Sequence, residues 1–213
     1  MRLAVTSVAL LAMSVAQAAT PIDGWYMGVF GGYAYLPNNI NITQLGLTRS
    51  NANYNAGYDV GGSIGFKSNP MRYEGELTYI NANLNTFRIN TIPQTGVGGY
   101  SDDFLAMANV YYDFPNLLMA IQPFLGVGIG YDWVQARLNS TGPSNGITQF
   151  TGSNSVFAYQ GIAGLTYNFS ESYALNLGYR YIATKHASNL GRIVQAQLAN
   201  LGVVYRFDGR HYK

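Results

Sequence analysis

Apolar residues alternate with small or polar residues along about eight segments of this chain, between Trp25 and Phe207. In the last segment every second residue from Leu201 to Phe207 is apolar, while Gly202 and Arg206 lie among the residues between them. Successive side chains of a strand point to opposite faces, so each segment predicts a strand with one apolar face. Each is long enough for the roughly 9–11 residues that a membrane strand needs. The pattern therefore predicts an all-β chain.

The two faces of these strands differ in size as well as in polarity. The apolar face is crowded with Tyr, Trp, Phe and Leu, whereas the other is mostly Gly, Ala, Ser and Asn with scattered charges. A water-soluble, lipocalin-like barrel would turn the apolar face inward. The interior of an eight-stranded barrel is just wide enough for side chains to fill, so the small face fits inside and the bulky face does not. We therefore predict an antiparallel eight-stranded transmembrane β-barrel whose apolar face contacts lipid. Aromatic residues near the strand ends fit interfacial girdles: Trp25, Tyr58, Tyr73, Tyr112, Trp133 and Tyr181.

Short and long connections alternate between the predicted strands. The short ones lie at residues 68–70, 115–122 and 170–172, and the long ones at residues 37–53, 83–101, 139–154 and 184–191. This alternation is typical of short periplasmic turns and longer surface loops. The long connections are rich in Asn, Ser, Thr and Gly, so we expect them to be mobile.

The first residues have the features of a cleaved secretory signal. Arg2 precedes a short apolar stretch from Leu3 to Val15, and Ala16-Gln17-Ala18 is a small-x-small cleavage site. A membrane anchor is the alternative, but a spanning helix needs about 20 apolar residues. We predict a signal peptide at residues 1–18 and a barrel domain at residues 19–213, exported to the outer membrane of a Gram-negative bacterium.

Composition excludes several classes of function. Charged residues make up only 10 % of the chain, against about 25 % in a typical soluble domain. The chain has no cysteine and two histidines, so disulfides and thiolate sites are excluded and no convincing transition-metal site is present. A net charge of +2 argues against a nucleic-acid partner. No cofactor is predicted.

Two stretches of sequence resemble a known family. The run from Phe157 to Tyr167 and the run from Leu175 to Tyr181 resemble the small bacterial outer-membrane barrels, which include opacity proteins, rickettsial-type surface antigens and the OmpA-like transmembrane domain. The final strand resembles their carboxy-terminal assembly signal at Asn200, Gly202, Tyr205 and Phe207, although the chain continues to Lys213. The resemblance implies outer-membrane lipid, lipopolysaccharide and the assembly machinery as partners. It also implies a role in adhesion, envelope structure or immune exposure.

Charged residues on the small face are the first candidate site. A charge on the lipid face would cost about 2–4 kcal/mol at the midplane, so these side chains should face the lumen. One interpretation is a packed polar core, and the alternative is a small pore with a charged lumen. The narrow interior favours the packed core, and we expect Glu74 or Glu76 to pair with Arg180 or Arg206. The predicted lumen network is Asp59, Lys67, Glu74, Glu76, Asp113, Asp132, Arg180 and Arg206.

A second candidate site is catalytic. The segment from His186 through Ser188 to Asn189 resembles the His-x-Ser-Asn segment of outer-membrane lipid A deacylases, in which the His is the base and the Ser the nucleophile. The family orients that base with a later acid, but no Asp or Glu lies between His186 and Asp208, and Asn200 occupies the corresponding place. The main hypothesis is therefore a structural and surface-interaction barrel without catalysis, with a deacylase-like enzyme as an alternative.

The predicted surface side carries an excess of positive charge. The cations in or beside the long connections are Arg49, Arg88, Arg137, Lys185 and Arg192. Clustered positive charge raises the local concentration of anions, so this basic rim predicts contact with lipopolysaccharide phosphates, and with host surface polyanions or receptors. The alternative interpretation is a few solvated charges scattered around the rim.

Overall fold

The computed structural model describes residues 23–36, 50–89, 92–116, 120–141, 147–185 and 195–207. Within these ranges the chain forms strands joined by turns. Among the described residues, no helix has the length and hydrophobicity needed to cross a membrane. The strands are β1 (Gly24–Tyr35), β2 (Ser50–Tyr54), β3 (Gly57–Ser68), β4 (Met71–Ile89), β5 (Ile92–Pro93), β6 (Thr95–Asp113), β7 (Ile121–Thr141), β8 (Ile147–Asn168), β9 (Tyr173–Thr184) and β10 (Gln195–Arg206).

Eight of these strands close into one antiparallel ring. Neighbours follow the order β1, β3, β4, β6, β7, β8, β9 and β10, and β10 pairs again with β1. The closing pair of strands is in register from Tyr26 opposite Arg206 to Tyr35 opposite Gln197. A closed ring pairs the backbone groups that an open sheet edge would expose to lipid. The two short strands, β2 and β5, pair only with the outer end of β4. The predicted eight-stranded barrel is confirmed.

The exterior wall carries the predicted apolar faces. Val29 and Val127, at mid-strand positions of β1 and β7, are 66 % and 67 % exposed, while the residues that alternate with the apolar positions turn inward. The six aromatic residues assigned to the girdles all lie on the exterior. Five of them lie near strand ends, and Trp133 lies in the middle of β7, which continues to Thr141. Several of their rings contact neighbours across strands, including Trp25 with Phe66 at 5.6 Å between centroids. The barrel thus presents a hydrocarbon-facing band between two aromatic belts.

Two connections that the sequence predicts as long surface loops are largely strands. β4 continues to Ile89 and β6 begins at Thr95, so most of residues 83–101 are in strands. Beyond Asn83 the outer end of β4 pairs with β2 and β5, and the first residues of β6 pair with β7. In the same way β7 and β8 stay paired up to Thr141 opposite Ile147, within the predicted loop 139–154. The loop prediction was wrong there, because two paired arms satisfy their backbone hydrogen bonds without an apolar face. These four strands project beyond the outer girdle as a surface sheet.

The interior differs from the predicted lumen of small residues. Tyr26, Phe30, Tyr111 and Phe124 all turn their rings inward. Each ring lies against a glycine of a neighbouring strand, where a β-carbon would collide with it; Gly126 lies against Tyr111 in this way. The inward glycines thus make room for large rings from the adjacent strands, and the barrel is filled by pairing large residues with small ones.

A cluster of apolar side chains fills the lumen towards the surface end. Its largest members are Ile80, Leu105, Met107, Ile182 and Leu198, all of them buried. Alanines and Leu36 complete the cluster. This apolar layer lies above the ionic groups of the lower lumen. The buried carboxyl groups of Asp59 and Asp103 lie opposite Ile80, and that of Asp132 lies opposite Leu105, so acidic side chains are interspersed in it.

Candidate functional site: the lumen network

Glu76 of β4 is the centre of the charged network inside the barrel. Arg180 of β9 donates from Nη1 to its Oε1 at 2.5 Å. Thr78 Oγ1 donates to the same oxygen at 2.8 Å, and Asn109 Nδ2 donates to Oε2 at 2.9 Å. Both charged residues are buried, so this is a desolvated ion pair whose carboxylate has several donors. The pairing of Glu74 or Glu76 with Arg180 or Arg206 was expected from the sequence, and Glu76 with Arg180 is the pair observed.

Aromatic residues contact Arg180 and the neighbouring carboxylate of Glu74. The Arg180 guanidinium lies 4.1 Å from the ring centroid of Phe30, a cation–π geometry. Glu74 accepts hydrogen bonds from the hydroxyls of Tyr26 at 2.9 Å and Tyr111 at 3.0 Å. The inward tyrosines, absent from the predicted network, therefore satisfy a carboxylate that has no short ion pair with a described cation.

Asp113 of β6 forms ion pairs with two cationic side chains at the periplasmic end of the lumen. Lys67 Nζ lies 2.8 Å from its Oδ2, and Arg72 Nε lies 2.8 Å from its Oδ1. Lys67 also donates to Gln122 Oε1 at 3.1 Å. The Arg72 guanidinium lies 4.6 Å from the Tyr111 ring centroid and 4.8 Å from that of Phe124. One carboxylate thus joins strands β3, β4 and β6, and the rings connect this layer to the one above.

The other predicted lumen residues also face inward. Arg206 of β10 donates from Nη2 to Asn168 Oδ1 at 2.7 Å and from Nη1 to the Glu171 carbonyl at 3.4 Å, which joins the last strand to the turn before β9. Asp59 accepts a short hydrogen bond from Asn200 Nδ2. Among the described residues, Arg206 therefore donates to uncharged oxygen atoms, and Asp59 accepts from the side-chain amide of Asn200.

Two buried carboxyl groups lie at the surface end of the lumen. Asp132 and Asp103 are each 2 % exposed. Ser101 Oγ donates to Asp103 Oδ1 at 3.2 Å, while Asp132 Oδ1 has no hydrogen-bond partner among the described residues. Asp103 lies just after the predicted loop 83–101, and strand alternation from the inward Leu105 turns it inside.

Little free space remains among these groups. The central cavity, lined in part by Arg72, Glu74, Arg180 and Asn200, has a volume of about 50 Å³. A second one near Lys67, Asp113 and Arg206 has about 10 Å³. Spaces of this size hold a few water molecules at most. The described lumen is packed, and the arrangement supplies ion pairing and not an open channel.

The structure places the whole predicted lumen set inside the barrel, and it adds residues that the prediction left out. Arg72 belongs to the network although it was not among the predicted members, and its position two residues before Glu74 on one strand face was the available signal. Asn109, Gln122, Gln160 and Asn168 are also buried and bonded within it. Amides gave no sequence signal, because exposed and buried Asn and Gln look alike in a strand pattern.

The basic rim is only partly described. Arg88, Arg137 and Lys185 are exposed, on β4, on β7 and just after β9 respectively. Arg137 lies 5.7 Å from the Tyr100 ring centroid and Lys185 lies 6.0 Å from that of Phe157, so these two cations have separate aromatic partners. Arg49 and Arg192 lie outside the described residues, as do His186 and Ser188 of the candidate catalytic segment. Within the described part of the chain, no group of three His, Asp or Glu side chains is arranged to hold a metal ion.

The residues of the predicted assembly signal lie in the strand that closes the ring. Asn200 bonds Asp59 over Gly32 of the intervening strand β1. Gly202 lies against Phe30, where a β-carbon would come within 2.9 Å of the Phe30 side chain. Tyr205 and Phe207 stack edge to face at 5.3 Å on the outside. The Phe207 amide donates to the Trp25 carbonyl at 2.9 Å. All four residues thus have structural contacts at the barrel seam.

Comparison with known proteins agrees with this architecture. A family model described as "Outer membrane protein beta-barrel domain" matches residues 3–207. A curated protein from Gluconacetobacter diazotrophicus, named "Outer membrane protein", is 30 % identical over 215 residues, covering 94 % of this chain and 57 % of that protein. The chain therefore spans a little more than half the length of that relative.

Two solved structures share the fold at low sequence identity. Neisserial surface protein A is similar with a TM-score of 0.54 and 16 % identity, covering 86 % of this chain and 97 % of its own. The outer membrane protein OprG from Pseudomonas aeruginosa is similar with a TM-score of 0.55 and 11 % identity, covering 89 % and 100 %. The family match, the closed ring of strands and the apolar exterior agree: this chain belongs to the outer membrane protein β-barrel domain family and is located in the bacterial outer membrane.

Proposed function

We propose that this protein is a non-catalytic barrel that stabilises the outer membrane and presents its surface hairpins for interaction, with a lumen that does not conduct. The observation that carries the proposal is the filling of the lumen. Ion pairs around Glu76 and Asp113 occupy its lower half. The packed apolar layer around Leu105 and Leu198, with buried carboxyl groups among its side chains, occupies its upper half. A hydrated ion would have to shed water to pass that layer, which is costly.

Planar-bilayer recording tests the closed lumen. Purified protein is first checked for folding by its gel mobility before and after boiling. We expect no steady single-channel conductance from the folded form, because the central lumen cavity is only about 50 Å³. Steady, large conductance from folded protein would refute the proposal and favour the alternative of a small pore.

The surface side supports an interaction role. Arg88, Arg137 and Lys185 are exposed on the hairpins and strand ends that project from the membrane. We infer that they attract lipopolysaccharide phosphates and host polyanions. Binding to a heparin-like polymer should weaken as salt rises, and it should fall in an Arg137→Met variant more than in a matched Asn139→Leu variant. Binding that is indifferent to salt would contradict an electrostatic rim.

The absence of catalysis is also a proposal. The enzyme alternative depends on His186 and Ser188, so a Ser188→Ala variant is compared with the wild type in cells whose lipid A acyl chains are analysed by mass spectrometry. We expect identical acylation. If lipid A loses an acyl chain in cells with the wild-type protein but keeps it in cells with Ser188→Ala, the protein is a deacylase and the proposed role is wrong.

Processing and assembly complete the proposal. We infer that residues 1–18 are removed on export and that the barrel domain spans residues 19–213, and amino-terminal sequencing of the outer-membrane form checks this. We also infer that the final strand is read by the assembly machinery. A Phe207→Ala variant should then accumulate less in the outer membrane, while Phe169→Ala, which changes an aromatic residue at the same end of the barrel, should not.

A further inference from the structure

A groove runs along the outer wall of the barrel where β4, β6, β7 and β8 leave the membrane. We call it the outer-wall groove and define it by Tyr79, Asp102, Phe104, Trp133, Gln135 and Ser153. Its volume is about 630 Å³, within the range of sites that hold small organic ligands. Pairing of the strands sets Asp102 opposite Gln135 and Gln135 opposite Ser153, so the polar residues form a row across three strands.

The groove has an aromatic floor and a polar rim. The rings of Phe104 and Trp133 are 5.9 Å apart and tilted by 44°, and both are more than 40 % exposed. Above them, Tyr79 donates its hydroxyl to Asp102 Oδ1 at 2.7 Å and Asn81 Nδ2 donates to the same oxygen at 2.6 Å. The described side chains that donate to this carboxylate thus both bind its Oδ1 atom.

The position of the groove limits what can fill it. Trp133 lies in the outer aromatic girdle, and the apolar exterior of β7 continues below it through Tyr131 and Ile129. Above Trp133 the outward residues of the same strand are Gln135, Arg137 and Asn139. The groove is therefore continuous with the membrane-facing wall and lies at the height of the head groups of the outer leaflet.

We propose that the outer-wall groove binds the sugar-phosphate head of lipopolysaccharide in the same membrane. The apolar face of a sugar ring packs against aromatic rings such as Phe104 and Trp133, while its hydroxyls donate to Asp102 and exchange hydrogen bonds with Gln135. Arg137 is the next outward residue after Gln135 on β7, and its guanidinium lies 5.7 Å from the Tyr100 ring centroid. It supplies a cation for phosphate. A glycerophospholipid has a phosphate but no pyranose ring for the aromatic floor. The inference rests on the proposed function, because it requires this wall to face the outer leaflet.

The two tryptophans of the chain provide a direct test. Trp133 forms the floor of the groove, and Trp25 lies at the opposite, periplasmic end of the barrel. The full chain is labelled with 5-fluorotryptophan and placed in nanodiscs of phosphatidylglycerol, with or without rough lipopolysaccharide. The two ¹⁹F resonances are assigned with Trp133→Phe and Trp25→Phe. We expect lipopolysaccharide to shift the Trp133 resonance and to leave the Trp25 resonance unchanged.

Variants of the rim separate sugar recognition from a general lipid effect. Gln135→Leu and Asp102→Asn should each raise the lipopolysaccharide fraction needed for half of the shift by about tenfold, the loss expected for a hydrogen bond of this kind. Asn139→Leu, which faces the same way above the groove, should leave it unchanged. An unshifted Trp133 resonance, an equal shift of both resonances, or the same shift with a soluble heparin-like polymer in lipopolysaccharide-free nanodiscs would overturn the proposal. A conducting barrel whose Trp133 resonance still shifts would refute only the closed lumen.

Discussion

Replacing Arg180 with methionine tests whether the lumen network stabilises the barrel. Arg180 Nη1 lies 2.5 Å from Glu76 Oε1, and both side chains are less than a tenth exposed. Removing one partner of a buried ion pair leaves the other charge without compensation, which costs about 3–5 kcal/mol. Thr78 and Asn109 still donate to Glu76 in the variant, so we expect a loss of unfolding free energy near the lower end of that range.

A second substitution separates the orphaned charge from the lost packing. In the Glu76→Gln, Arg180→Met double variant the carboxylate is gone, while an amide oxygen can still accept from Thr78. We expect the double variant to be more stable than Arg180→Met alone, with a coupling free energy of about 1–3 kcal/mol between the two positions. Lys185→Met is the matched control, because Lys185 is an exposed cation just past the end of the same strand, and its cost should stay within about 0.5 kcal/mol.

Urea unfolding in lipid vesicles measures these differences. Trp25 and Trp133 both lie on the lipid-facing exterior, so their fluorescence reports the loss of the barrel. The unfolding and refolding curves must coincide for the free energy of unfolding to be well defined. A loss below about 1 kcal/mol for Arg180→Met, or a double variant whose cost equals the sum of the single costs, would refute the reasoning that this ion pair is desolvated and coupled.

Two further pairs of variants test the packing and the membrane boundary. Gly126→Ala on β7 would bring a methyl group within 2.3 Å of the Tyr111 ring, whereas Gly161→Ala on β8 meets nothing within 4 Å. We expect a cost of about 1–3 kcal/mol for the first and almost none for the second, and equal urea midpoints would contradict the ring-against-glycine packing. On β7, Val127→Arg should cost about 2–4 kcal/mol because Val127 faces the hydrocarbon, while Asn139→Arg in the projecting sheet should cost about 0–1 kcal/mol. Equal costs in the same unfolding assay would place the membrane boundary elsewhere.

Strand alternation made most of the fold predictable from sequence. The direction of a side chain in a strand depends only on its position relative to its neighbours, so the outward Leu77 and Tyr79 and the inward Glu76 followed from the local pattern. The same rule gave the set of inward charges. It failed for residues 83–101 and 139–154, because their polar, Asn- and Ser-rich composition hides strand pairing that takes place in water.

The identity of the partners inside the lumen could not be read in the same way. Glu76 and Arg180 are 104 residues apart and meet only through the stagger of the closed ring. Whether Glu76 or Glu74 faces that arginine depends on the register of all the strands between them. The bonds from the inward tyrosines to Glu74 were also missed. Alternation places Tyr26 and Tyr111 on the inward face, but the carboxylate that they reach depends on the same register.

The order of layers along the lumen explains how a charged interior can belong to a closed barrel. Lys67, Arg72 and Asp113 occupy the periplasmic end, and the Glu76–Arg180 pair lies above them. These charges are bound by partners on other strands, so each ion pair also fixes the register of the strands that carry it. The apolar layer lies above them, and the buried carboxyl groups of Asp103 and Asp132 lie opposite its members Ile80 and Leu105. Because the lumen is occupied by contacts that hold the ring together, the surfaces left for recognition are the projecting hairpins and the outer wall, and the groove beside Trp133 lies where those two surfaces meet.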